Sequence, residues 1–137
     1  MTHGKYFVDT NLFLRYLTKD DPGKYGRCRE LFKKAVEGEV VLHTSEMVIA
    51  ELIWTLLSYY KVPKAEVIEK ASIIVSTPNL QVVNKTIVAD SLVLYGQKNI
   101  DFIDAYNALF MKFHGLEKIY SYDQDFDSIE GIEREEP

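Results

Sequence analysis

Five acidic residues have settings unlike those of ordinary surface acids: Asp9, Glu51, Asp101, Asp104 and Asp123. Asp9 closes the run Lys5-Tyr6-Phe7-Val8, and a helical pattern starts immediately after it. Active-site groups of parallel α/β sheets sit beyond the carboxyl ends of strands. Glu51 lies among Met47, Ile49, Leu52, Ile53, Trp54 and Leu56, a helical segment apolar nearly all round. A helix of that kind reads as buried, and an ionised carboxylate there is normally paired, metal-bound or protonated. Asp101 and Asp104 are three residues apart and share a helix face. Asp123 follows Ile119-Tyr120-Ser121-Tyr122, a strand pattern. Carboxylates that converge raise one another's pKa unless a cation neutralises them. An oxygen-only set suits Mg²⁺ or Mn²⁺ and disfavours zinc. One or two such ions activate a water and stabilise the leaving oxygen of a phosphodiester. In that scheme Asp9 ligates or bridges the metal and Asp104 is the next ligand. Asp101, Asp123 and Glu51 complete the shell or order waters, and Thr10, Asn11 and Ser121 orient them or touch a phosphate.

Each acid also has a plainer use. Asp9 could cap a helix, and Asp123 could cap the last helical turn. Asp101 with Asp104 could form a capping box. Glu51 could reach solvent beside Thr55 and Ser58. Taken singly none is specific; their joint placement at strand ends and in apolar helices favours the metal. Other chemistries have little support. His3, His43 and His114 are scattered, Cys28 is the one cysteine, and no phosphate-binding glycine loop occurs.

The elements that must position these acids alternate. Strands are expected at Tyr6–Val8, the first of them central and covered on both faces, then Val40–His43, Leu80–Val83 and Ile119–Tyr122. A fifth strand, Ile132-Glu133, leans on the resemblance given below. Helices are expected at Leu12–Leu17 (capped by Thr10 or Asn11), Tyr25–Val36, Glu46–Tyr60 (capped by Thr44 or Ser45), Lys64–Val75, Ile87–Lys98 and from about Asp101 to Phe113. Pro63 suits the first turn of its helix, and Ala65, Ile68, Ala71 and Val75 mark that helix's apolar side. Gly38 and Gly115 are the expected stops. Strands alternating with helices imply an α/β sandwich: a parallel sheet with helices on both faces and all strand ends on one rim.

With 137 residues, the chain suits one domain spanning 1–137. A composition 47% hydrophobic and 27% charged excludes general disorder. No apolar run is long enough to cross a bilayer, nor does the start resemble a secretory signal. A cytoplasmic protein away from membranes is the simplest expectation. The net charge of −5 is uneven: residues 1–70 hold 11 Lys/Arg against 10 Asp/Glu, and residues 71–137 hold 5 against 11. Lys24, Arg27, Arg29, Lys33 and Lys34 form a basic patch, a solvated helix face or a phosphate contact. Arg27 and Lys34 are its candidate nucleic-acid residues.

Four segments together resemble the PIN domain, and within it the small toxin-like ribonucleases of the VapC type. They are Val8-Asp9-Thr10-Asn11, Ala50-Glu51-Leu52, Asp101-Phe102-Ile103-Asp104-Ala105 and Ser121-Tyr122-Asp123-Gln124-Asp125-Phe126. The resemblance implies a four- to five-stranded parallel α/β/α sandwich, RNA cleavage dependent on Mg²⁺ or Mn²⁺, a homodimer and inhibition by an antitoxin. Carried over by residue, it makes Asp9, Glu51, Asp104 and Asp123 the acidic set, with Asp101 beside Asp104. Ser121 stands where Thr is usual, and Tyr106-Asn107 replaces small apolar residues. Asp123 and Asp125 compete for the fourth place; Asp123 comes first after the strand, so Asp125 is expected to turn away. The leading function is thus a metal-dependent endoribonuclease of a toxin–antitoxin pair, acting on an RNA substrate. The alternative is a catalytically silent RNA- or protein-binding module of the same fold. A haloacid-dehalogenase-type phosphohydrolase also begins with an Asp after its first strand, but it needs a second acid where Asn11 stands.

Overall fold

The fold comes from a computed structural model, in which residues 4–137 are described. Contacts divide the chain into two compact units, Met1–Lys85 and Thr86–Pro137. The first contains β1 (Gly4–Phe7), α1 (Thr10–Thr18), α2 (Pro22–Val36), β2 (Val40–Thr44), α3 (Glu46–Ser58), α4 (Lys64–Val75) and β3 (Leu80–Val82). The second contains nearly all of α5 (Lys85–Gln97), then α6 (Phe102–Phe113), β4 (Lys118–Tyr120), a 3-10 turn (Gln124–Ser128) and β5 (Glu133–Glu135). The α/β class and the parallel strands are as the sequence predicts.

In the first unit β1, β2 and β3 form a parallel ladder in that order, with Tyr6 opposite Leu42 and Leu42 opposite Leu80. Each parallel step is bridged by helices, the crossover such a pair needs. Leu42 of the central strand and Leu80 of β3 are buried, and Ile49, Leu52, Ile53 and Leu56 of α3 join the core with them. α3 packs on α1 and α4, and α1 on α2. Gly38 and Gly115 both have positive φ, 81° and 69°, just past the ends of α2 and α6. These are the left-handed positions that only glycine takes at little cost.

Several expectations need correction. β1 runs from Gly4 rather than Tyr6 and takes the edge of its ladder, with Tyr6 and Phe7 exposed. It is not a covered central strand of that ladder; its apolar run is too short to bury two faces. The cap of α1 is Asp9, not Thr10 or Asn11, which form the first turn. Thr44 ends β2, leaving Ser45 alone as the cap of α3. Pro63 precedes α4 instead of sitting inside its first turn. The face that α4 buries is Val67, Ala71, Ile74 and Val75. Val67 displaces Ile68 and Ala65 because the apolar stripe is wide enough for two settings of the helix. β5 lies at Glu133–Glu135, one to two residues beyond Ile132-Glu133.

The ladder also holds the chain that leads to Asp9. The Val8 amide donates to the His43 carbonyl at 2.8 Å, extending the β1–β2 pairing past β1. The buried Thr44 hydroxyl donates to the Val8 carbonyl at 2.9 Å. Thr44→Val keeps the shape and removes the donor, leaving that carbonyl unsatisfied. The expected cost is about 1–3 kcal/mol in urea unfolding; an unchanged midpoint would show that water replaces the hydroxyl.

Candidate metal centre

In the second unit the acids are gathered by α6 and by the connection from β4 to β5. Asp104 stands in the first turn of α6, and Asp101 occupies the position just before that helix. Asp101 makes no side-chain capping bond, so the capping-box use is not realised. Asp123 follows β4 and caps the 3-10 turn, its Oδ1 accepting from the Asp125 amide at 2.9 Å. The Ser121 hydroxyl accepts from the Asp123 amide at 3.0 Å, which fixes the backbone where the strand ends.

Ligand oxygens of Asp104, Asp123 and Asp125 lie within 4.8 Å of one another. The expectation that Asp125 turns away is corrected: the tight 3-10 turn brings it back beside Asp123. Asp101 is not one of the three, though its charge still acts on Asp104. The Asp104 carboxyl is pushed up from 3.8 to about 6, first by loss of solvent and then by the charge of Asp123 and a hydrogen bond with it. Asp101 and Asp125 add to the push. A carboxyl–carboxylate hydrogen bond needs a proton, so ionising Asp104 above about pH 6 leaves a repulsion among the acids that a cation would relieve. Three oxygen donors with one half-buried member fit Mg²⁺ or Mn²⁺ and offer nothing to softer metals.

The connection is fastened by a residue that the sequence reading missed. Arg134 of β5 grips Asp127 with two bonds, Nε to Oδ1 at 2.9 Å and Nη2 to Oδ2 at 3.2 Å. Its Nη1 donates to the Ser121 carbonyl at 3.0 Å and to Glu136 at 2.9 Å. Those two carboxylates raise its pKa further above the ordinary arginine value. One guanidinium thus ties β5 to both ends of the acidic segment. The sequence signal was slight: Arg134 is the one basic residue in an acidic tail.

The remaining predicted residues lie in the first unit. Asp9 accepts from the Leu12 amide at 3.4 Å, a long and weak cap. With Asn11 it lines a cleft between α1 and α2. Thr10 is buried in the first turn of α1. Arg27 lines the same cleft, while Lys34 is exposed in the last turn of α2. Glu51 is exposed, contrary to the expectation of a buried acid. α3 buries one stripe, Ile49, Leu52, Ile53 and Leu56. Glu51 shares the outer stripe with Met47 and Trp54, which are 80% and 65% exposed. An apolar sequence all round does not compel burial all round.

The PIN domain family model matches residues 6–132. Among solved structures, the chain is similar to VapC20 of Mycobacterium tuberculosis, a toxin that cleaves the sarcin–ricin loop. The TM-score is 0.41 and the identity 20%, covering 90% of this chain and 93% of that one. It is also similar to VapBC2 from Rickettsia felis, which was crystallised with a DNA fragment from its promoter. There the TM-score is 0.38 and the identity 18%, covering 96% and 98%. No curated protein shows a significant sequence match.

Two expected outcomes follow from the acids and their clamp. Folding favours the protonated form of Asp104. Its stabilising contribution is complete below the unfolded value near 3.8 and is lost as pH rises through about 6. In metal-free protein Asp104→Asn should therefore raise stability at pH 8 by about 1 kcal/mol, after discounting for solvent screening. The gain should vanish at pH 4; thermal melts at both values with chelator present check it. Arg134→Lys keeps the charge but not the fork. Amide exchange at Asp123, Gln124 and Asp125 should quicken about tenfold, while exchange in α6 stays the same.

Proposed function

The chain belongs to the PIN domain family, and from that premise we propose that it is a metal-dependent endoribonuclease, the toxin of a toxin–antitoxin pair. The observation that supports this most is the meeting of Asp104, Asp123 and Asp125 within 4.8 Å. A silent binding module gains nothing from holding a carboxyl at a pKa of about 6 beside two others. A metalloenzyme does, because a divalent cation turns that repulsion into affinity.

Asp104, Asp123 and Asp125 are proposed to hold Mg²⁺ or Mn²⁺, and Asp101 to tune Asp104 from alongside. A bound ion would supply an activated water and charge neutralisation at the phosphodiester. Asp104 would offer the ion a carboxylate oxygen, and Ser121 keeps Asp123 aimed by fixing its backbone. Asp9 and Glu51 are proposed as further acids of the reaction, to be tested residue by residue. Thr10 and Asn11 support Asp9, and Arg27 and Lys34 contact the RNA. The wider reading comprises a homodimer of single PIN domains in the cytoplasm, restrained by an antitoxin protein. Among the described residues no helix is long and apolar enough to cross a membrane.

The decisive experiment pairs calorimetry with cleavage of a labelled structured RNA. Mg²⁺ or Mn²⁺ should bind and support cleavage, and chelator should abolish it. Asp104→Asn and Asp9→Asn should each lower kcat by about 100-fold or more, and Glu51→Gln by less because Glu51 is exposed. RNA binding without metal-dependent heat or turnover would favour the silent module. Cleavage that persists in chelator would defeat the metal mechanism.

A further inference from the structure

α1 and α2 form an antiparallel hairpin. Phe13 stacks on Phe32 with centroids 5.8 Å apart, and Tyr16 stacks on Tyr25 at 6.1 Å, so the pairing rises along one helix as it falls along the other. An open cleft of about 560 Å³ lies along this hairpin. Its charged lining is Asp9, Arg15, Lys24 and Arg27, with Leu12 and Leu31 supplying apolar wall. The cations are not equivalent. Arg15 is committed to Asp20 at 2.9 Å. Lys24 and Arg27 form no ion pair among the described residues, so even set against Asp9 the cleft keeps an excess of positive charge. Lys34 lies seven residues beyond Arg27, on the same face of α2, and extends the row.

We propose that this cleft binds the sugar–phosphate backbone of single-stranded RNA, with Lys24 and Arg27 on phosphates. Arg27 offers the planar fork that matches a phosphate, and Lys24 a mobile point charge. Leu12 and Leu31 suit the flat faces of ribose or base. Asp9 and Asn11 supply acceptors for 2′-hydroxyls, the groups that mark RNA. An acidic peptide would meet the same cations but has no such hydroxyls to give Asp9. The inference rests on the ribonuclease reading for the identity of the polymer and adds to it the track by which that polymer is held.

The test uses a single-stranded RNA 12-mer and the full chain in chelator, with anisotropy read across a salt series. Metal-dependent cleavage is blocked there, so binding is measured by itself. Lys24→Glu/Arg27→Glu should weaken binding at low salt by at least tenfold. It should also flatten the slope of log K against log salt by about 1.4, the value for two phosphate contacts on a single strand. Arg29→Glu/Lys33→Glu makes the same charge change on the opposite face of α2 and should leave the slope nearly unaltered. Lys24→Gln/Arg27→Gln repeats the test should the reversed charges disturb the hairpin. Equal losses from both faces would overturn the proposal, as would a polyglutamate peptide that binds more tightly and displaces the RNA. Loss confined to Lys24 and Arg27, in a protein that never cleaves RNA with metal, would sink the nuclease reading and leave the cleft. Cleavage without that selective loss would do the reverse.

Discussion

Like charges held close together are the constraint on which the second unit is built. Asp104, Asp123 and Asp125 bring oxygens within 4.8 Å of one another, and water cannot fully screen the half-buried Asp104. Such a group does not assemble by itself. Asp104 is carried on a helix whose first-turn amides offset negative charge. Asp123 is pinned by the Ser121 hydroxyl and by its own cap onto Asp125. Arg134 supplies the opposing charge one step away, paired with Asp127 and Glu136 and not with the three acids. The cluster is left unneutralised at its centre and supported at its edge, the arrangement that a cation can complete.

The two units divide the electrostatics unevenly. Residues 86–137 carry 4 Lys/Arg against 11 Asp/Glu, while residues 1–85 carry 12 against 10. A polyanion is repelled by the former until metal ions stand between its phosphates and the acids. The first unit offers cations outright, in the α1–α2 cleft. Overall acidity is therefore a poor guide to whether such a chain handles RNA; the distribution decides.

Much of this was legible in the sequence, and the reasons differ by residue. Strand–helix alternation gave the α/β class because periodicity is a local property. The places of Asp104 near a helix start and of Asp123 after a strand end were legible, since both follow from local pattern. Asp125 was not, because whether a residue two places on turns away or back depends on a 3-10 turn that no local pattern marks. Glu51 was misread for a related reason. Apolarity says what could be buried, and packing partners decide what is. β1 was read as central and lies at its ladder's edge, because sheet order is a long-range property. Arg134 was missed because its partners, Ser121 and Asp127, lie 13 and 7 residues away and form a site only once β4 and β5 pair.

The position of Arg134 has a bearing on the order in which the protein is made. Synthesis proceeds from the amino end, and domains fold as they emerge. All three acids are polymerised before the residue that fastens their loop. Until β5 lies against β4, Asp123 and Asp125 belong to an untethered connection and Asp104 has no fixed neighbours to repel. A nascent chain thus carries the three acids without the geometry that brings their oxygens together. The strand that carries Arg134 must therefore be in place before the acidic segment is fastened.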